Sequence, residues 1–546
     1  MEIYENVNNP YAVAKELPKE KTTWKIGRAE VVYAVFLLCA GFLFWEGSVL
    51  LNLWGLWGDQ QPSSGIGTFL FFWIMIAGTF LYFSAKRVKQ NRASLLWLSA
   101  AVVGALPFIL YDAIDVRALL LLFEFGVCLL WVATSAKTQI AGFVLFDLLN
   151  QGVVVSFLNF GGLFQSLGHG FGGKKEGRSV KGRTILVALL GILISIPILV
   201  IVLSLLISAD SAFESFIQNF QVNFNWDVLG IYFIEFFVGV PVACYLGGLV
   251  FGNAQKRNTA RITEEGISRG LSSVRLLPRA GLYAPLLFFV GMYVIFFVIL
   301  SGYLLAAFSG YLPSGYTYAE YARRGFFELC AVAAINLGLL AFSYLFLKRG
   351  EGECPKMLRI ISLILSVQTV LLIATAMSKM ILYIDAYGLS RLRLYTSVFM
   401  VLLMLVFVLI IVWHIRPFRF KIGMPIAILT TCFMLTLFLA NTDGLIAKYN
   451  VDRYLEGDLD RVDVEMFTGM SDAVAPAVIE LATAKKADEE TQANADEFLR
   501  SRYGSYNHKK VRWDYNLGAR SSFEGWNLQS ARSAELVEAY FEEKSK

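Results

Sequence analysis

The chain has 546 residues, of which 56% are hydrophobic and only 17% are charged. Soluble domains carry about 25% charged residues, and a mean hydropathy of +0.57 implies more apolar surface than one or two soluble cores can bury. The composition excludes most classes of soluble protein. It predicts an all-α fold, a polytopic transmembrane helix bundle.

Charge divides the chain into two unequal parts. Before Asn441 there are 34 Lys and Arg against 23 Asp and Glu, whereas from Asn441 onward there are 14 against 20. The basic residues of the first part lie in short loops between apolar runs, a pattern that sets membrane topology and does not indicate nucleic-acid binding. We therefore expect the lipid bilayer as a partner and no nucleic acid.

Eleven apolar runs are each close to the roughly 20 residues that a helix needs to cross the hydrocarbon. The predicted spans are residues 31–53, 67–85, 93–111, 117–135, 184–207, 227–251, 282–308, 325–347, 360–384, 394–415 and 422–440. The polar stretch 1–30 shows no cleavable signal peptide, so the first run should remain as an anchor. We expect an N-terminal segment (1–30) and a transmembrane helical bundle (31–440).

The basic residues also predict which way the bundle faces. With a cytoplasmic N-terminus, the inner segments hold 28 Lys and Arg, and the short outer loops hold five. Because basic residues are retained on the cytoplasmic side, this asymmetry predicts a cytoplasmic N-terminus and an extracytoplasmic C-terminus.

Two segments contain more than a connection between spans. The inner region 136–183 includes an apolar stretch, 140–167, which is interrupted by Asp147, Asn150 and Asn159. This pattern predicts interfacial or re-entrant helices, with a missed pair of spans as the alternative. The tail, 441–546, is soluble in composition and long enough for a small, mainly helical extracytoplasmic domain, with helices at 443–455, 471–486 and 488–502 and a final amphipathic stripe at 536–541.

Several short patterns indicate no chemistry. Residues 168–174 fit the start of a phosphate-binding loop, but Lys175 stands where Ser or Thr would hold magnesium, and no strand precedes it. The six cysteines and three histidines have no metal or redox spacing, so we expect no metal site and no cofactor. Gly248 and Gly252 have the small-xxx-small spacing of membrane helix interfaces, which is weak evidence for a dimer.

Ionisable residues inside the predicted spans are the most informative feature of the sequence. A charge at mid-bilayer costs roughly 2.5 to 3.5 kcal/mol on insertion scales, so these side chains should face protein or water. All of them lie in the middle or outer half of their spans: Glu46, Glu124, Glu235, Glu328, Lys379 and Asp385.

Charge is densest around the predicted outer ends of the spans at 325–347, 360–384 and 394–415. We define the charged cluster as Arg323, Arg324, Glu328, Lys379, Asp385, Arg391 and Arg393. Its excess of basic groups predicts an outward-facing pocket for a phosphate- or carboxylate-bearing ligand. In the alternative interpretation, these residues pair with one another and lock three helices together, and Lys379 extends outward to water.

Some segments resemble a known family. The run 315–329 (GYTYAEYARRGFFEL) and the run 387–395 (YGLSRLRLY) look like signatures of the bacterial membrane proteins catalogued as domain of unknown function 4153/4173. The segments 206–210, 447–450 (AKYN) and 526–532 (WNLQSAR) are similar to further family positions. The resemblance implies a multi-pass protein of the bacterial plasma (inner) membrane and implies no activity.

We expect a non-enzymatic envelope protein that binds or transports an anionic or amphiphilic ligand, such as an anionic lipid or an envelope precursor, through the charged cluster. One alternative is a membrane scaffold or signalling partner that contacts another envelope protein through residues 441–546. A third is a transferase on lipid-linked substrates, for which Asp59 and Asp210 are the candidates for a base or metal ligand.

Overall fold

The structure is a computed structural model that describes residues 24–46, 65–111, 116–139, 144–171, 226–259, 262–308, 318–348, 355–416, 422–503 and 526–546. These ranges form helices, and their one β-contact is an isolated bridge between Leu277 and Leu347. In the first half, the helices are α1 (Arg28–Glu46), α2 (Ile66–Ala85), α3 (Arg92–Leu110), α4 (Arg117–Ala136), α5 (Val144–Leu158), α6 (Gly162–Phe171) and α7 (Trp226–Ala254).

The second half continues with helices of unequal length. They are α8 (Glu264–Ser273), α9 (Arg279–Phe308), α10 (Tyr318–Phe346), α11 (Lys356–Tyr387), α12 (Arg391–Ile415), α13 (Gly423–Leu439), α14 (Thr442–Glu456), α15 (Ala475–Thr483), α16 (Glu489–Tyr503) and α17 (Leu528–Lys544).

Among the described residues, seven helices are long and apolar enough to cross a membrane, and up to nine spans result if each of two bent helix pairs counts as one. The seven coincide with predicted spans and lie in α2, α3, α4, α9, α10, α11 and α12. The predicted span 184–207 lies outside the described residues, as do most of the loops on either side of it. The apolar helices indicate a membrane protein with seven to nine described spans, and the predicted total of eleven stays a prediction.

Five of the first six predicted spans, all except 184–207, contribute to the N-terminal bundle, which we define as α1 to α7. Its core includes the fully buried rings of Phe83, Trp97 and Trp131. Helices α1 and α7 cross so closely that a Cβ atom on Gly41 would meet the carbonyl oxygen of Gly239. Glycine at the crossing therefore lets the two backbones touch, as small residues do between membrane helices.

The described part of the interrupted stretch, 144–167, lies in the bent pair α5 and α6, which meet at 45°. Residues Asn150–Val155 within α5 form a π-helical turn, a local widening that is frequent at functional sites. A Cβ on Gly248 would meet the Ser156 carbonyl, and one on Gly252 would meet Asn159. Helix α5 of the same chain therefore packs against these two glycines of α7. This packing accounts for the spacing of the glycines without a dimer.

Helices α9 to α12 form the C-terminal bundle, and a polar layer crosses its apolar core. The Tyr293 hydroxyl donates to Asn336 Oδ1 at 2.8 Å, and Asn336 Nδ2 donates to Thr369 Oγ1 at 2.9 Å. Helix α13 contacts both bundles, because Phe438 belongs to the first core and Ile426 packs on the second. It joins the two bundles along their length.

Residues 442–503 and 526–546, which we call the C-terminal segment, surround a third apolar core. Helix α14 bends by 61° away from α13, and helices α14 and α16 match the predicted 443–455 and 488–502 within one residue at each end. The predicted helix 471–486 is a short 3-10 turn followed by α15. Val537 and Tyr540 of the predicted amphipathic stripe are buried in this core.

One carboxylate joins α16 and α17. Asp496 accepts hydrogen bonds from Lys544 Nζ at 2.7 Å, Arg500 Nε at 2.8 Å and the Tyr540 hydroxyl at 2.9 Å. Partial burial alone would raise the pKa of Asp496, but the hydrogen bonds from Lys544, Arg500 and Tyr540 outweigh it and lower this pKa to about 2.

We predict that Gly248→Leu destabilises the protein by about 1 to 3 kcal/mol, because the new side chain forces α5 and α7 apart. Gly291→Leu is the matched control, since no atom lies within 4 Å of a Cβ placed on this glycine of α9. Thermal unfolding of the purified protein in detergent measures the difference. Equal midpoints for the two variants, or loss of a dimer in Gly248→Leu, would contradict the intramolecular role.

We also predict that acid weakens the contact between α16 and α17. Because the folded pKa of Asp496 lies below the unfolded value of about 3.9, its contribution is complete above about pH 4 and is lost as the pH falls towards 2. With solvent screening the contribution is about 1 kcal/mol. Hydrogen exchange of α17 in the full chain, corrected for intrinsic rates, should show this loss between pH 4 and 2.

Asp496→Asn should already show the faster α17 exchange at pH 5 and should have little further acid dependence. Asp452→Asn is the control, because the pair of Asp452 with Lys448 is exposed. If Asp496→Asn keeps the exchange rates and acid dependence of the unmodified protein, Asp496 does not hold the two helices together.

Candidate functional site

The charged cluster lies where α11 turns into α12, and the structure gives most of its described side chains partners. Arg391 forms a bidentate pair with Asp443 of α14, with Nε to Oδ1 and Nη2 to Oδ2 both 2.7 Å apart. The same guanidinium donates to the Gly469 carbonyl at 2.8 Å, and Asp443 also accepts from the Ser471 N–H. The pair is 19% and 7% exposed, so little solvent screens it.

A second ion pair joins the same elements. Arg453 of α14 donates to Asp385 of α11 at 3.0 Å. The side-chain amide of Asn450 pairs with the backbone of Leu389, accepting from its N–H at 2.7 Å and donating to its carbonyl at 2.8 Å. Through these contacts α14 recognises both the charges and the backbone of the turn.

Arg393 stabilises the turn itself. Its guanidinium donates to the carbonyl oxygens of Tyr387 and Gly388 at 2.9 and 2.5 Å and lies 4.1 Å from the ring centroid of Tyr383. Gly388 has a φ of +74°, a left-handed conformation that glycine adopts without steric cost. The side chain of Arg393 therefore satisfies carbonyls that the end of α11 leaves free.

The other members of the charged cluster lie deeper along α10 and α11. Glu328 is exposed, and it attracts Lys379 across the two helices. Arg323 and Arg324 belong to α10, but their side chains lie outside the described residues. Arg391 and Asp385 form ion pairs with Asp443 and Arg453 of the C-terminal segment, which are not members of the cluster. A ligand-binding role for the cluster stays a prediction.

Of the three remaining acidic residues of the spans, the structure describes only the side chain of Glu124, which lies in the N-terminal bundle. Glu124 of α4 is fully buried and accepts a hydrogen bond from Cys128 Sγ at 3.9 Å, while its Oε2 has no hydrogen-bond partner among the described residues. Gly104 of α3 leaves the space that this carboxyl occupies. The side chains of Glu46 and Glu235 lie outside the described residues.

The C-terminal segment touches both bundles at one face. Besides its contacts with the α11–α12 turn, the N–H of Ile66 at the start of α2 donates to the Trp526 carbonyl at 2.8 Å. Gln529 donates to Asn441 Oδ1 at 3.0 Å, and α17 contacts the end of α3. The start of α2, the end of α3, the α11–α12 turn and the end of α13 therefore share one face, as alternating spans require.

A cavity lies inside the N-terminal bundle, and sequence reasoning did not predict it. It has a volume of about 470 Å³ and is lined by aromatic and aliphatic side chains of α1, α2, α4, α5 and α7. Along α4 it extends from Leu121 to Val132, which is about 16 Å at the helical rise. The cavity is therefore long and apolar.

The few polar groups of the wall are occupied by protein partners. Tyr245 donates to the Gly152 carbonyl in the π-helical turn at 2.6 Å, and Thr79 shares a hydrogen bond with the Tyr33 hydroxyl at 2.7 Å. Cys128, the partner of Glu124, also lines the cavity. The wall thus presents carbon and sulfur surface to whatever occupies the cavity.

No metal centre forms within the part of the chain that the structure describes, because no group of three His, Cys, Asp or Glu side chains comes together there. Asp59 and Asp210, the candidates for transferase chemistry, lie outside that part.

Residues 97–481 match the family described as Domain of unknown function (DUF4153). The chain belongs to this family. The match covers well over half of the chain and confirms the resemblance found in the sequence. Neither a curated protein nor a solved structure matches this DUF4153 protein.

Two of the segments that resemble the family meet at the α11–α12 turn, since Leu389 of the run 387–395 pairs with Asn450 of the run 447–450. A third, the run 526–532, contacts neighbouring helix ends through Trp526 and Gln529. In this DUF4153 protein, these segments form the contact between the membrane helices and the C-terminal segment.

We predict that Asp443→Asn loosens the C-terminal segment and destabilises the protein by about 2 to 3 kcal/mol, because it leaves Arg391 without its anionic partner in a poorly solvated position. Thermal unfolding in detergent and limited proteolysis of α14 to α17 measure the two effects. Lys448→Gln, which breaks the exposed pair of Lys448 with Asp452, should cost less than about 0.5 kcal/mol. Similar losses in both variants would show that the pair at the turn has no special role.

Proposed function

We propose that this DUF4153 protein is a non-enzymatic membrane protein that binds or moves an amphiphilic ligand, whose apolar chain occupies the cavity of the N-terminal bundle. The cavity carries the proposal. Its volume of about 470 Å³ lies in the range of small-molecule sites, about 300 to 1,000 Å³. Its walls lack the convergent charged groups that a polar solute would need.

Energetics also favour an occupant. Protein interiors are close-packed, and wall atoms beside an unfilled space lose the contacts they would otherwise make. An apolar chain in this space restores those contacts and needs no hydrogen bond from the wall, since the polar groups of the wall already have partners.

In this proposal the charged cluster has a separate role, which is to hold the C-terminal segment. The ion pairs of Arg391 with Asp443 and of Asp385 with Arg453 hold the C-terminal segment over the helix ends, where the segment acts as a lid or binds an envelope partner. The predicted inner segments hold 28 Lys and Arg and the short outer loops hold five, and this asymmetry supports an extracytoplasmic position for the C-terminal segment. With the family resemblance, it supports a place in the bacterial plasma membrane.

We predict that Val242→Phe, which adds a ring inside the cavity, lowers the occupancy of an apolar chain about tenfold. The probe is a palmitic acid carrying a photoactivatable diazirine at its terminal carbon, added to the purified full chain in nanodiscs. Crosslinks should map to α4 and α7 in the unmodified protein and fall in the variant when normalised to crosslinks on α9.

Val294→Phe is the matched control, because Val294 is an exposed residue of α9 away from the cavity. The control should crosslink as the unmodified protein does, and both variants should unfold at similar temperatures. Undiminished crosslinking of α4 and α7 in Val242→Phe would contradict the proposal.

A further inference from the structure

A second concave surface lies on the outside of the N-terminal bundle. We call it the α1–α2 groove, and it has a volume of about 450 Å³. Its lining includes Arg28, Val32, Tyr33, Leu81, Tyr82 and Ala85. It runs from the beginning of α1 and the end of α2, the face opposite the C-terminal segment, towards the middle of the two helices.

The groove has an available cation at its mouth. The nearby carboxylate of Glu30 is fully buried and already engaged, because it pairs with Lys86 Nζ at 2.6 Å and accepts from the Gly27 N–H at 2.8 Å. Arg28 is exposed, and it forms no ion pair with any residue that the structure describes. Glu30, the acidic residue in the first turn of α1, is thus turned inward towards Lys86.

Beyond the mouth, the groove is apolar. Val32 and Leu81 form its rims and are 70% and 67% exposed, so in a membrane these side chains meet acyl chains. The rings of Tyr33 and Tyr82 form the floor, stacked with their centroids 4.5 Å apart. The Tyr82 hydroxyl points to Glu30, and the Tyr33 hydroxyl points to Thr79. The surface that the two residues present to the groove is therefore the carbon of their rings.

We infer that the α1–α2 groove binds an anionic phospholipid, with the phosphate on Arg28 and one acyl chain between α1 and α2. A guanidinium recognises phosphate with paired, charge-assisted hydrogen bonds, and basic pockets between membrane helices are sites for anionic headgroups. Charge and apolar surface occur here in the order that a phospholipid requires, since the cation lies at the helix ends and the apolar walls lie deeper.

This site is separate from the cavity of the N-terminal bundle. Thr79 lines the cavity and Tyr33 lines the groove, so their hydrogen bond stands between the two spaces. The inference therefore does not rest on the proposed function, and either one can fail alone.

The test is native mass spectrometry of the full chain, purified in detergent and titrated with phosphatidylglycerol or phosphatidylcholine. The unmodified protein should retain phosphatidylglycerol in preference to phosphatidylcholine. Arg28→Gln should weaken this binding about fivefold, because a basic residue near anionic lipid contributes about 1 kcal/mol. Arg92→Gln is the matched control, since Arg92 is an exposed arginine that begins α3 at the same face.

A second variant tests the acyl-chain part of the site. Leu81→Trp places a larger side chain one turn deeper in the apolar part of the groove and leaves Arg28 in place, so it should also weaken the binding of phosphatidylglycerol. If Arg28→Gln binds as well as the unmodified protein does, or if Arg92→Gln loses as much, Arg28 is not the headgroup site. If Arg28→Gln weakens binding and Leu81→Trp does not, the site recognises only phosphate, and the lipid assignment is wrong.

Discussion

The hydrocarbon of a bilayer contains no water, so each polar group within it has to find its partner in the protein. This constraint accounts for much of the packing. The hydroxyls of Thr134 and Ser166 donate hydrogen bonds to backbone carbonyls of their own helices. Tyr293, Asn336 and Thr369 satisfy one another across α9, α10 and α11, which fixes how these three helices align.

At the helix ends, the pairing of polar groups joins the C-terminal segment to the membrane helices. The end of α11 and the start of α12 concentrate charge beside the apolar spans. The C-terminal segment supplies opposite charges in Asp443 and Arg453 and an amide in Asn450 that matches a backbone N–H and carbonyl. Since an ion pair at partial burial is costly to break, these contacts hold the segment to the bundles, and Trp526 extends the contact to α2.

The sequence was sufficient for the features that depend on composition along a single helix. Hydropathy located the seven spans because burial in lipid is a property of each run. The density of charge at the predicted outer span ends singled out Arg391, and the cost of a charge inside a span singled out Asp385. Their partners are 52 and 68 residues away along the chain, and no periodicity in the sequence connects residues at such separations. Gly248 and Gly252 were recognised as a helix contact, but their spacing is the same whether the other helix belongs to a second copy or, as here, to α5.

The cavity and the α1–α2 groove were not predictable for a different reason. Both are spaces between helices, and their walls consist of residues that a sequence pattern assigns to ordinary lipid or core surface. Phe72, Leu129 and Leu246 have the same apolar character as their neighbours that pack without a gap. Only the relative positions of five helices create the space.

The unequal lengths of two helices have a consequence for the surrounding membrane. Helix α11 has 32 residues and α13 has 17, which correspond to about 48 and 26 Å at the helical rise, against a hydrocarbon thickness of about 30 Å. Helices longer and shorter than the hydrocarbon therefore occur in the same protein: α11 has to tilt or project from the bilayer, and α13 favours a thinner bilayer beside it. The lipid around this protein should be deformed on one side, and its stability should depend on acyl-chain length in the host membrane.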